Sequence, residues 1–216
     1  MKHQGYILII PAIVLSGFHT SCSNNTHQSY FTTSNKNIDL GMDIIDAYNL
    51  RIDETYLFSD FEEFIAKMGI PTKVSVAKTE YEINSRVGLD SAILSAKPTE
   101  IVQLYYLGIE MLFSYDNYII PSTIDFRTSG KSITYGSTLF NTDYTTQQFK
   151  KQFPISGNPK FKLPQSFFEI TTKEKGSDFE HFMLLRKSKD DPEAILMIEF
   201  TFYKEKLIFI VFSNYS

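Results

Sequence analysis

Beyond residue 100 the chain is a succession of short runs rich in Phe, Tyr, Ile and Val, each closed by a turn residue or a pair of charges. That pattern constrains the fold more than any other feature. Runs at 101–107 and 109–115 flank Gly108, Asp116-Asn117 offers a turn before 118–126, and Ser129-Gly130 leads into 133–135. Further strands are expected at 167–172, 179–186, 194–203 and 206–213, with the last two joined as a hairpin around residues 203–206. Upstream, 74–83 alternates over part of its length and reads as another strand. The aromatic content, 19 Phe and 13 Tyr with no Trp, suits sheet better than a helix bundle. Glu199, Lys204, Glu205 and Lys206 argue against reading the C-terminal apolar stretch as a membrane span.

Helical spacing is clear in one place. Phe61, Phe64, Ile65 and Met68 fall on one face over residues 59–68. Ser59 and Glu62 have the spacing of a capping box, while Gly69 and Pro71 close the segment. A second helix is expected over 144–153, capped by Thr142 or Asp143 and stopped by Pro154. Residues 89–97 are ambiguous, since Asp90 could cap a short helix that Pro98 ends. The expectation is an α+β fold, mainly antiparallel sheet with two short helices packed on one face.

The segments 56–71 and 138–154 share Leu-Phe, a helix and a terminal Pro, and each is followed by strands. A helix-plus-meander unit used twice accounts for this, with a first unit at 38–127 and a second at 128–216 that may also pack as one domain. The pattern resembles the small lipoproteins of the outer-membrane assembly machinery and the tandem-repeat beta-lactamase-inhibitor proteins. In those, a helix ending in Gly-x-Pro leads into a sheet, as Gly69-Ile70-Pro71 does here.

The first 21 residues read as a targeting segment to be set apart from the fold. Lys2 is followed by an apolar run, 6–18, broken by Pro11 and shorter than the roughly twenty residues a spanning helix needs. Cys22, the one cysteine, comes directly after it, preceded by the small residues Thr20 and Ser21. The arrangement resembles a bacterial lipoprotein signal peptide of the looser Bacteroidota kind, with His19 where an aliphatic residue is usual. The resemblance implies that Cys22 is the lipidated first residue of the mature chain. An unpaired cysteine in an exported protein is thereby accounted for. Residues 22–37 are polar, without period or acidic groups, and read as a flexible tether. The lack of acidic residues there, and Ser23 after the cysteine, resemble outer-membrane sorting with the domain facing the periplasm.

The catalytic inventory is thin. His3, His19 and His27 precede the folded part, leaving His181 alone in it, and no cysteine lies there. A His/Cys zinc site and a cysteine nucleophile are therefore not expected, no cofactor motif is present, and His181 reads as an ordinary strand residue. Glu62, Glu63, Glu110, Asp116, Asp125, Asp190 and Asp191 have no recognisable catalytic spacing, though carboxylate-only hydrolysis needs just two acids. A formal charge of −4 offers no basic field for nucleic acid. The candidate binding residues are the aromatics of one meander, Tyr105, Tyr106, Phe113, Tyr115 and Tyr118. The expected function is a non-enzymatic, membrane-tethered module contacting another envelope or exported protein, as an assembly accessory, inhibitor or immunity-type factor. A periplasmic hydrolase of glycan or peptide and a small-ligand carrier are the alternatives. Paired acids in a cleft would favour the first of these, and an enclosed apolar pocket the second.

Overall fold

Hairpin turns organise the chain. Three of them, Asp53-Glu54, Ala77-Lys78 and Lys204-Glu205, hold both central residues at positive φ. That geometry carries the right-handed twist of the flanking strands through two residues. In the computed structural model, which describes residues 42–114, 117–158, 178–186 and 196–213, these turns link β2 (Arg51–Ile52) to β3 (Thr55–Tyr56), β5 (Lys73–Val76) to β6 (Thr79–Glu82), and β13 (Leu196–Tyr203) to β14 (Lys206–Ser213). The expected single strand at 74–83 is therefore a hairpin. The remaining strands are β1 (Ile44–Ile45), β4 (Ser59–Asp60), β7 (Val102–Tyr106), β8 (Ile109–Ser114), β9 (Tyr118–Asp125), β10 (Ile133–Tyr135), β11 (Thr138–Phe140) and β12 (Phe179–Arg186). The expected signal peptide, tether, Cys22, Tyr115 and the strand at 167–172 lie outside the described residues.

Four helices, rather than two, occur among the described residues, and local caps explain the difference. α1 (Phe61–Met68) starts at Asp60, whose carboxylate accepts from the Glu62 and Glu63 N–H groups. Ser59 stands one residue outside, and its hydroxyl donates to the Tyr56 carbonyl instead. α2 (Arg86–Leu94) is capped by Ser85. Asp90 sits inside it and receives the Arg86 guanidinium one turn away. α3 (Phe126–Ser129) is a single turn between the Asp125 cap and Gly130. α4 (Thr146–Gln152) carries a full capping box between Thr145 and Gln148, two to three residues later than the sequence suggested. No helix of the described residues is long and apolar enough to cross a membrane.

The strands form a ten-stranded sheet in the order β1-β12-β13-β14-β9-β8-β7-β5-β6, with β4 beside β9, and a four-stranded sheet β11-β10-β2-β3. All pairings are antiparallel except β1 with β12. In chain order β2–β3 and α1 are followed by β5–β6, α2 and the meander β7–β8–β9, and β10–β11 and α4 are followed by β12–β13–β14. The meanders meet at β9–β14 and the hairpins at β2–β10. The described residues form one compact unit around one hydrophobic core. Its centre is aromatic. Phe149 of α4 lies 4.7 Å from Phe182, 5.2 Å from Phe200 and 5.8 Å from Phe202, ring centre to ring centre. The buried apolar residues of all four helices, Phe61, Phe64, Ile65, Leu89, Ala92, Phe126 and Phe149, belong to this core. The large sheet therefore has a helix-covered face and an opposite face.

Candidate functional site

Residues directly opposite one another in an antiparallel ladder share a face. Lys73 is opposite Tyr105, Tyr105 opposite Glu110, and Glu110 opposite Thr123. Thr123 is opposite Val211, Val211 opposite Glu199, and Glu199 opposite Met183. One row thus crosses seven strands on the face away from the helices. The neighbouring row, with Val74, Leu104 and Met111, points into the core.

Alternation along β7 and β8 divides the candidate aromatics between the two faces. Tyr105 lies in the outer row, half-buried. Its hydroxyl donates to Gln103 Oε1 at 2.9 Å, and the Lys73 ammonium sits 4.6 Å from its ring centre. Lys73 also pairs with Glu80 at 3.0 Å, and Gln103 Nε2 donates to Glu110 Oε1 at 3.4 Å. Burial raises the Glu110 carboxyl above its ordinary value, against the opposing pull of the Ser122 hydrogen bond and Lys73. Burial likewise raises the Tyr105 phenol, helped by Glu110. Tyr106 faces the other way, its ring against Phe64 and its hydroxyl on the Gly69 carbonyl at 3.1 Å. Phe113 is buried in the core 4.5 Å from Phe61, and Tyr118 packs half-buried against the same core. Of the described candidates, Tyr105 is the one fixed in the outer row beside charged partners.

The same face holds His181. Its Nδ1 lies 2.9 Å from Glu199 Oε1 and 3.2 Å from Thr201 Oγ1, and the Thr201 hydroxyl donates to Glu199 Oε1 at 3.3 Å. Glu199 and Thr201 have no solvent exposure. A hydroxyl nucleophile activated by histidine needs the carboxylate on one ring nitrogen and the hydroxyl on the other. Here both meet Nδ1, so this trio is a hydrogen-bonded cluster and not a relay. Among the described residues no group of three or more His, Cys, Asp or Glu side chains could hold a metal ion.

A third feature has no precursor in the sequence pattern. On the small sheet, Tyr56, Arg51, Thr134 and Leu139 form a row on the face opposite the buried Ile52, Ile133 and Phe140. Beside it a half-open cleft of about 590 Å³ is lined by Asn49, Arg51, Thr134, Tyr135 and Gly136. Its described lining contains no carboxylate. The two halves of this cleft lie more than eighty residues apart in the chain, so no local motif announces it. Comparison with known proteins finds no matching family model, no matching curated protein and no matching solved structure.

Proposed function

We propose that this chain is a non-enzymatic, membrane-tethered protein-binding module of the bacterial cell envelope, built from two helix-plus-meander units. The two joints support the repeat. Thr123, the sixth residue of β9, pairs with Val211, the sixth residue of β14. In the small sheet, the first residue of β2 pairs with the second of β10, and the second with the first. Each joint is thus symmetric between equivalent strands, as a pseudo-twofold relation between two units requires.

The observation that carries the binding reading is the outer row at Tyr105. A tyrosine whose hydroxyl is fixed by Gln103 and whose ring is covered by the Lys73 ammonium loses little side-chain freedom on contact. Tyrosine at the centre of a partly desolvated polar surface is a common interface anchor. The partner is an envelope or exported protein, reached from a lipid on Cys22 through the tether at 22–37, with the domain at the outer membrane facing the periplasm. Among its described lining residues the cleft of the small sheet presents one arginine and no acid, which is chemistry for holding a ligand.

The anchor is tested by fatty-acid labelling in cells, with label expected on the wild-type chain and lost in Cys22→Ala. The binding reading is tested by capture from cross-linked native membranes followed by mass spectrometry. One near-stoichiometric protein partner is expected, lost in Tyr105→Ala. Recovery of no enriched partner across growth conditions would sink the reading.

A further inference from the structure

We propose that the cleft between the two hairpins is a second recognition site, and that it takes an extended peptide segment presenting one carboxylate beside an apolar side chain. The inference does not depend on the sheet-face reading, because the cleft belongs to the other sheet. The cleft stands on the β2–β10 pairing, where two hairpins distant in the chain meet.

Arg51 supplies the charge. Arg86 is tied to Glu62 and Asp90, and Arg127 to Asp125. The Arg51 guanidinium instead donates to the Tyr56 hydroxyl and stacks 4.2 Å from that ring, with no carboxylate partner among the described residues. Of the acids near it in sequence, exposed Glu54 makes no ion pair with it among the described residues, and two others are engaged elsewhere. Asp53 pairs with Lys131, while Asp46 accepts from the Tyr48 N–H and from Asn49 Nδ2. An arginine held in a fixed orientation by an aromatic residue, with donors left over, suits bidentate recognition of a carboxylate.

The rest of the cleft is held in place. Asp46 fixes the Asn49 amide, and the Asp46 N–H donates to the Tyr135 hydroxyl at 3.4 Å. Gly136, at φ 58, has no atom within 4 Å of where a Cβ would stand, so a ligand backbone can approach closely there. Leu139, beyond the lining but next in the row after Thr134 and 47% exposed, is placed to give the apolar contact. Tyr56 to Leu139 spans three strand spacings, about 14 Å, which an extended segment of about four residues covers.

The test uses the full chain in detergent and an acetylated, amidated glycyl-glutamyl-leucyl-glycine peptide carrying a fluorescent tag, read by polarisation. The comparison arms are the glutamine counterpart of that peptide and free glutarate. The glutamyl peptide is expected to bind, with the glutamine counterpart at least about tenfold weaker. Arg51→Gln should show the same loss at unchanged melting temperature, since Arg51 is exposed. Arg51→Lys keeps the charge without the fork and should fall between the two. Leu139→Asp should also weaken binding. No binding up to millimolar peptide, equal binding of the glutamine peptide, or undiminished binding to Arg51→Gln would each overturn the proposal. Glutarate binding as tightly as the peptide would overturn the peptide assignment in favour of a free carboxylate.

Discussion

Replacing Phe149 by alanine would test which face of the sheet is the core. Phe149 has no solvent exposure, and its ring centre lies 5.0 Å from Phe153, 4.7 Å from Phe182, 5.2 Å from Phe200 and 5.8 Å from Phe202. It therefore fastens α4 to both β12 and β13. Truncation of a buried phenylalanine costs about 3–5 kcal/mol, depending on how far the site collapses. The neighbours here are rigid rings anchored on two strands, so little collapse is available. Lost aromatic pairs each add roughly 0.5–1.5 kcal/mol beyond area. A loss of about 5 kcal/mol is expected, against a typical domain stability of about 5–15 kcal/mol. Urea unfolding followed by circular dichroism reads this directly. Phe149→Leu should lose about half as much, and Tyr105→Ala, in the outer row, less than about 1 kcal/mol. A Phe149→Ala loss under about 1.5 kcal/mol, or an equal loss for Tyr105→Ala, would refute the division of faces.

Gly108→Ala should lose at least about 2 kcal/mol in the same urea titration. Gly108 sits at φ 68 in the β7–β8 turn, and an added Cβ would lie 2.5 Å from the Ser129 nitrogen and 2.8 Å from the Asp125 oxygen. An unchanged midpoint would show that the turn does not seat on α3 as described. Glu110→Gln should change the pH dependence of stability. Burial raises the Glu110 carboxyl above its ordinary 4.5, so the native state holds this proton more tightly than the unfolded chain. The resulting stabilisation is complete below the unfolded value and fades as pH rises through the folded value. The glutamine variant lacks that fade and should gain on the wild type as pH rises through this window. Parallel stability curves for the two proteins would contradict the assignment.

Several elements were legible from the chain because their signals are local. The C-terminal hairpin is marked by charges between two apolar runs, and α1 by apolar spacing with a terminal glycine. The β5–β6 hairpin was hidden because Ala77 and Lys78 carry none of the usual Asn-Gly turn chemistry, yet both adopt positive φ. Their strain, about 1–2 kcal/mol per residue, is offset by the ladder they close. α2 follows Ser85, a cap without a capping box, so the local sequence points to Asp90 instead. At the candidate site, the cluster of aromatics was visible but its division was not. Val102, Leu104 and Tyr106 share one phase of β7, and Gln103 and Tyr105 the other. Which phase faced the core depended on Phe64, a helix residue with no local link to that strand. The cleft was still less accessible to sequence reasoning, since only the β2–β10 pairing brings Arg51 to Thr134.

The most direct test of the binding account is site-specific photo-crosslinking of the full-length chain in native membranes. A photoreactive phenylalanine analogue replaces Tyr105 in one preparation and the buried Phe113 in another. The account predicts one dominant protein adduct from position 105 and none from position 113. Absence of an adduct at position 105 across growth conditions, or the same adducts from both positions, would contradict it.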